Sequence, residues 1–236
     1  MKPKVSVLMA AYNVEPFIPE AVEAILAQRG IPFELLIGDD ASSDGTWSRI
    51  RRYTMDPRVR AWRFRVRRGS SSVWNRLIRR AQGTYLSICD ADDRILPGNL
   101  QTLSRVLDRA PGVGVVCAGW EYMDVRGRRL RRWRRVPPVN KTWDLIRREW
   151  THGGSMFRRK VIQQVGGYRE RLLHADAPDL FLRLSEVTQF STLPGKAYYR
   201  YRLHPYPAGL KAWRRRLVAI AIREAIIRRY GYKVSW

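Results

Sequence analysis

Three carboxylates in four residues, Asp90-Ala91-Asp92-Asp93, follow directly on the apolar run Tyr85-Leu86-Ser87-Ile88-Cys89. Short, partly β-branched or aromatic, and preceded by Gly83, that run reads as a buried strand. Carboxylates bunched at a strand end repel one another unless a cation lies among them. A hard divalent ion carried in with a phosphate meets that need, because Mg²⁺ takes one or two carboxylates together with phosphate oxygens. The plainer alternative is a solvated acidic turn ahead of a helix that starts near Pro97. A second acidic group, the pair Asp39-Asp40, closes the run Phe33 to Gly38.

The surrounding elements set both groups at equivalent places. Val5 to Ala11 reads as a buried strand ending in Tyr12-Asn13, and a helix follows with Pro19 near its start and Gly30 as its stop. After the second strand come the turn Ser42-Ser43-Asp44-Gly45, a helix from Thr46, a strand over Val59 to Val66 and a helix over Ser70 to Gln82. Strands alternating with helices of this size predict an α/β fold, a Rossmann-like, mostly parallel sheet flanked by helices. Both acidic groups then fall at carboxyl ends of strands, where open α/β sheets bind ligands. The second half predicts a strand over Val113 to Asp124, a turn at Arg126-Gly127 and a returning arm Arg128 to Arg135. Beyond these come a strand at 154–158, helices at 160–165 and 178–187, a strand Ala197 to Leu203 and a terminal helix Gly209 to Tyr230. The expectation is one compact domain, with a nucleotide-facing half over 1–110 and a more variable acceptor half over 111–236.

With 236 residues, 45% of them hydrophobic, the chain has length and apolar content for a substantial core. Cys89 and Cys117 lie in apolar runs and read as buried free thiols of a reducing compartment. The sequence has no signal-type apolar leader and no run of membrane-spanning length, so a cytoplasmic protein is expected, with room for a peripheral place on the inner membrane face. The charge is lopsided. Residues 1–48 hold three basic and seven acidic residues, a balance of −4, so the remainder carries +28 to give the net +24. Such an excess points to a polyanionic partner, whether nucleotide diphosphate, anionic lipid or nucleic acid.

The ordered segments Val5-Ser6-Val7 through Tyr12-Asn13, Gly38 through Thr46, and Gly83-Thr84-Tyr85 leading into Asp90 to Asp93 resemble the family-2 inverting glycosyltransferases of GT-A fold. The resemblance continues through Ser155 to Arg159, Val165-Gly166-Gly167-Tyr168, Asp179-Leu180 to Leu184 and Tyr201-Arg202-Leu203-His204, and so covers nearly the whole chain. It implies sugar transfer from a nucleoside diphosphate sugar, a UDP-sugar before others, to an acceptor hydroxyl. By similarity Ala10, Ala11, Tyr12, Asn13, Asp39 and Asp40 would hold base and ribose. Asp90, Ala91 and Asp92 would lie along the diphosphate. Asp90, Asp92 and Asp93, with His204, would hold Mn²⁺ or Mg²⁺, which acts as a Lewis acid on the leaving diphosphate. For His204 a surface histidine before Pro205 is the alternative.

Two departures from the family pattern stand out. Trp74 precedes Asn75 where family members often carry arginine, so the diphosphate contact shifts to Arg67, Arg68 or Arg76 beside Asn75. The family's base aspartate would fall on Ala177, and Asp176 is one position early. A one-residue loop shift would let Asp176 take the acceptor's proton. In the other reading Asp176 caps a helix opening at Pro178, and Asp179 serves or the chain is a weak or dead enzyme.

Arg129, Arg131, Arg132 and Arg134 surround Trp133 on the returning arm, a concentration of like charge that calls for a polyanionic acceptor or surface. A second group interleaves Arg58 to Arg68 with Trp62 and Phe64. Three acceptor readings follow: a lipid-linked or cell-surface glycan docked through anionic lipid, a hydroxylated base of phage-type DNA flipped from its duplex, or a non-catalytic polyanion-binding module. The early Gly-rich loop with a following lysine expected of a nucleotidyltransferase is absent.

Overall fold

The computed structural model describes residues 2–134, 153–172 and 176–204. Its elements run β1 (Val5–Ala11), α1 (Ile18–Leu26), β2 (Phe33–Asp39), α2 (Thr46–Tyr53), β3 (Val59–Arg63), α3 (Ser70–Arg80), β4 (Tyr85–Ile88), β5 (Arg94–Ile95) and α4 (Asn99–Arg109). There follow β6 (Val113–Met123), β7 (Arg129–Arg134), β8 (Met156–Arg158), α5 (Arg159–Gln164), α6 (Asp176–Ser185) and β9 (Gln189–Arg202). The helix expected over Gly209 to Tyr230 lies outside the described residues.

The sheet order is β3-β2-β1-β4-β8-β6-β9-β5, with β7 paired to β6. β3, β2, β1 and β4 are mutually parallel, as the alternation of strand and helix requires. β2 is buried at every position and β1 at all but one, so their apolar runs face covered sheet on both sides. In α1, Ile18, Ala21, Val22 and Ile25 form the buried stripe at helical spacing.

The second half corrects the expectation of a mostly parallel sheet. β4–β8, β8–β6, β6–β7 and β9–β5 are antiparallel, and only β6–β9 is parallel there, so the sheet is mixed. The short turn between β6 and β7 permits no other direction, since a parallel partner needs a long crossover. Along β6–β9 the register slips, with Ala118 opposite Leu193 and Gly119 opposite Ala197. Irregularities of this kind bend and twist a strand pair. They carry the far end of β9 to β5, where Tyr199 pairs with Ile95 and Arg200 with Arg94. The last residues of β9 thereby arrive beside the acidic run.

Two motif glycines have steric causes. A Cβ at Gly83 would lie 2.5 Å from the Ser6 backbone nitrogen, because the turn into β4 presses on β1. Gly167 has φ +71°, and its Cβ would meet Asn75 Oδ1 at 2.5 Å. Cys89 and Cys117 are free and buried, and burial raises both thiols, Cys117 to about 12.

Candidate active site

The carboxyl ends of β1, β2 and β4 open on one side of the parallel half. After β1 the chain turns at Asn13, whose φ is +49°. Its Oδ1 accepts the Ser43 N–H at 2.9 Å, and its own N–H reaches Ser42 Oγ at 3.0 Å. The Glu15 carboxylate takes the Gly45 N–H at 2.9 Å, and Asp44 takes that of Thr46 at 3.0 Å at the start of α2. Asn13 therefore stitches the loops after β1 and β2 together, while Tyr12 remains exposed above them.

Asp39 and Asp40, both buried, divide the work expected of the pair. Asp40 receives the Arg68 and Gly69 amides at 3.0 and 2.8 Å and so shapes the entry to α3. Asp39 Oδ1 accepts the Ser42 hydroxyl, whereas Oδ2 accepts no hydrogen bond among the described residues, with Arg63 Nε facing it at 3.4 Å. Burial raises the Asp39 carboxyl, and Ser42 and Arg63 work against that rise. A buried acceptor oxygen without a donor calls for one from outside the chain. Asp39 thus remains suited to a nucleotide donor group, and Asp40 is a loop-forming residue first. Arg67 lies 3.9 Å over the Tyr12 ring and Arg76 lies 4.5 Å over that of Phe64.

Asn75 departs from its expected role. Its Nδ2 donates to the Tyr168 carbonyl at 2.8 Å and to Glu170 at 3.1 Å, and its Oδ1 accepts the Tyr168 N–H at 2.8 Å. With both faces of the amide occupied, it locks α3 to the Gly166-Gly167-Tyr168 segment instead of reaching a diphosphate.

The acidic run also separates into roles. Asp93 is only 1% exposed, and its carboxylate accepts the Tyr199 hydroxyl at 2.8 Å and the Arg202 N–H at 2.7 Å. Burial, then the charges of Asp92 and Asp90, push the Asp93 carboxyl well above its usual range. The expectation that Asp93 joins a metal set is corrected here: enclosed by β9, it anchors that strand to the loop. Asp92 Oδ2 and His204 Nε2 lie 2.7 Å apart, so the structure brings these two expected ligands together across 112 residues. The Asp90 amide donates to the Tyr199 hydroxyl at 3.2 Å.

Tyr199 and Arg202 carry more of this site than their sequence positions suggest. The Arg202 guanidinium gives Nε to the Asp92 carbonyl at 2.6 Å and Nη1 to the carbonyls of Asp124 and Val125 at 3.2 and 3.0 Å. Its Nη2 reaches the Glu20 carboxylate, and its plane lies 4.7 Å from the Phe17 ring centroid. Phe17 in turn stands edge-on to His204, with centroids 5.4 Å apart. The signal in the sequence is the i, i+2 spacing of Arg202 and His204, which puts both on one side of an extended strand.

Asp179 is buried against Arg183, with Oδ2 2.8 Å from Nε, and against Arg169, with Oδ1 3.3 Å from Nη1. Asp179 is 1% exposed and paired with both guanidiniums, so it offers no open oxygen to an acceptor hydroxyl and reads as a structural residue of α6. Asp176 is the first residue of α6, and its side chain lies outside the described residues. Pro178 sits in the first turn of α6, where its missing N–H costs no helical bond.

On the hairpin, the Asp124 carboxylate accepts the Arg126 and Arg128 amides, each at 2.9 Å, and closes the turn. Arg129 pairs with buried Glu121 at 2.6 Å, and Arg200 pairs with the same carboxylate. Arg129 is therefore partly neutralised, while its side chain stays 67% exposed. The side chains of Arg131, Arg132, Trp133 and Arg134 lie outside the described residues.

The donor chemistry of Asp92, Asp90 and His204 fits a divalent cation. Asp92 and His204 meet at 2.7 Å and Asp90 stands two residues before Asp92, while among the described residues no three such side chains already stand close enough together to hold a metal.

A model of the family described as Glycosyl transferase family 2 matches residues 6–166. The putative glycosyltransferase EpsE of Bacillus subtilis is 30% identical over 192 residues, spanning 78% of this chain and 67% of its own length. The succinoglycan biosynthesis protein ExoO of Rhizobium meliloti is 34% identical over 131 residues, 55% of this chain and 36% of its own. Among solved structures, S. aureus TarS 1-349 in complex with UDP-GlcNAc superposes with a TM-score of 0.74 at 20% identity, covering 98% of this chain and 73% of that one. The mannosyltransferase PcManGT of Pyrobaculum calidifontis, in complex with GDP-Man and Mn²⁺, gives 0.68 at 22% identity, covering 100% and 66%. These two likenesses bear on the fold, which is mixed α/β with a curled sheet. The chain spans 62%, 67% and 36% of the lengths of three curated relatives it matches.

Proposed function

The chain belongs to glycosyl transferase family 2, and we propose that it moves a sugar from a nucleoside diphosphate sugar to a hydroxyl of a glycan acceptor. A UDP-sugar is the first donor to test, because TarS is described with UDP-GlcNAc. The glycan acceptor is favoured by a relative named for succinoglycan biosynthesis.

The observation that carries the reading is the meeting of Asp92 with His204, 2.7 Å apart, at the carboxyl end of the strand beside the one that leads into Tyr12. In this proposal the open Asp39 Oδ2 accepts a hydrogen bond from the donor's base or ribose. Tyr12, with Arg67 over its ring at 3.9 Å, borders the same end of the sheet, and Arg67 and Arg68 supply positive charge at the rim. Asp90, Asp92 and His204 would hold Mn²⁺ or Mg²⁺. When bound, the ion neutralises charge on the leaving diphosphate, and a solved fold neighbour is described with Mn²⁺. Arg202 and Tyr199 keep the ligand-bearing loop and His204 in one geometry, which spares the site reorganisation during transfer. Asp176, at the start of α6, removes the proton from the acceptor hydroxyl as its oxygen attacks the anomeric carbon opposite the breaking bond to diphosphate, and the configuration inverts.

A panel of nucleotide sugars assayed for hydrolysis with Mn²⁺, and again with chelator, tests this. One donor should be hydrolysed only with metal. Failure of every donor, or turnover indifferent to chelator, would contradict it.

A further inference from the structure

The exit of β3 and the adjoining face of α3 form a charged surface that reaches beyond the donor site and shares only Arg67 and Arg68 with its rim. Trp62 and Phe64 lie along this sheet edge under guanidinium groups. Arg60 and Arg80 stand 5.7 and 5.1 Å from the Trp62 ring centroid, and Arg76 stands 4.5 Å from that of Phe64. Arginine stems packed on rings keep their charged heads at the water boundary. Carboxylates answer only part of this charge: Glu34 pairs with Arg60, and Glu170 lies near Arg76 and Arg79.

Past Phe64 the chain turns through Arg65, Val66, Arg67 and Arg68, all exposed, with Val66 62% exposed. An apolar side chain projecting among three arginines gains nothing from water and would gain from an interface with an apolar interior and anionic surface. The same loop borders the donor cleft, since Arg67 covers Tyr12 at 3.9 Å and the Arg68 amide binds Asp40 at 3.0 Å.

We propose that this surface docks the chain on an anionic lipid bilayer. The arginines meet headgroup phosphates, Val66 enters the interface, and the rim of the cleft faces the lipid. Arginine suits phosphate oxygens by its fork of donors, and an anionic leaflet attracts each basic side chain brought near it. Nucleic acid fits less well. Guanidinium groups already cover Trp62 and Phe64, so these rings do not offer open faces for base stacking. Among the described residues no helix is long and apolar enough to cross a membrane, so the contact would be peripheral. Docking stands apart from the transfer reading. Only its consequence, that a lipid-anchored acceptor could present its hydroxyl to the cleft, rests on that reading.

The test is cosedimentation of the purified chain with phosphatidylcholine vesicles, with and without phosphatidylglycerol, at physiological salt, alongside calorimetric titration of UDP with Mn²⁺. Binding should require phosphatidylglycerol and weaken as salt rises. The triple variant Arg65→Ser, Val66→Ser, Arg79→Ser should bind these vesicles at least about tenfold more weakly, with UDP binding unchanged. The single variant Val66→Asp, on an exposed loop, should move the same way. Equal binding to neutral vesicles, no binding, or variants that match wild type would overturn the proposal. So would duplex DNA that displaces the vesicles through these same residues. Loss of UDP binding by the wild-type chain would instead count against the transfer reading and leave docking standing.

Discussion

His204 Nε2 and Asp92 Oδ2 lie 2.7 Å apart, and the strand that delivers His204 is fastened to the Asp92 loop by Arg202, whose Nε donates to the Asp92 carbonyl at 2.6 Å. The pair is thus held by backbone and side chain together. His204→Ala should weaken Mn²⁺-supported UDP binding by roughly 10–100-fold, the range seen when a metal site loses a supporting group. Thermal shift with UDP and a Mn²⁺ titration would read this. An unaltered Mn²⁺ requirement would place His204 outside the site.

Arg202 acts through the residues it holds. Arg202→Lys keeps a charge near Glu20 but loses the fork that reaches the Asp92, Asp124 and Val125 carbonyls. Turnover should fall with the Mn²⁺ requirement raised, while KM for acceptor stays near wild type. Glu20→Gln, at a half-exposed position, should shift the Mn²⁺ requirement the same way by less. If both variants keep the wild-type Mn²⁺ titration, Arg202 is only a packing residue.

Asp176 and Asp179 should separate in kinetics and stability. If Asp176 is the base, as proposed, Asp176→Asn should lower turnover by on the order of 10²-fold with donor affinity nearly intact, because a base acts in the transition state. Asp179→Asn leaves Arg183 and Arg169 without their carboxylate and should cost roughly 3–5 kcal/mol, the scale for breaking a buried ion pair. Urea unfolding alongside steady-state rates distinguishes the two. A stable Asp179→Asn protein with abolished turnover would reverse the assignment.

Stability should also depend on pH through Asp108. Burial tends to raise its carboxyl, but hydrogen bonds from Lys4 at 2.7 Å and Tyr85 at 2.8 Å prevail and hold it below its usual value. A lowered carboxyl contributes stability above the unfolded value of about 3.9 and loses it as pH falls through the folded value. The Lys4 contact is surface-exposed, so Asp108→Asn should cost within about 1 kcal/mol at neutral pH. The difference from wild type should vanish below both values. A difference that persists in acid would show that packing, not charge, sets the effect.

Much of the first half was legible because its signals are local. β1, β2 and β4 are apolar runs bounded by turn residues, and α1 shows its buried stripe at helical spacing. β5 has two residues and no pattern to read. The early part of β9 contains Pro194-Gly195, which breaks any alternation, and the slip between Leu193 and Ala197 accommodates them. Strand direction in the second half is likewise not encoded in alternation. At the site, three acids in four residues mark a strand end without telling which one is enclosed. That follows from Tyr199 and Arg202, more than a hundred residues away. The role of Asn75 was hidden for the same reason, since its partners Tyr168 and Glu170 come from a distant turn.

The most direct measurement is calorimetric titration of UDP into the wild-type chain and into Asp92→Ala, each with Mn²⁺ and with chelator. A donor site organised around Asp92 and His204 requires wild-type binding that weakens at least about tenfold when the ion is removed, and a variant whose weak binding is indifferent to the ion. Equal wild-type binding under both conditions, or a variant that keeps full Mn²⁺ dependence, would contradict the account.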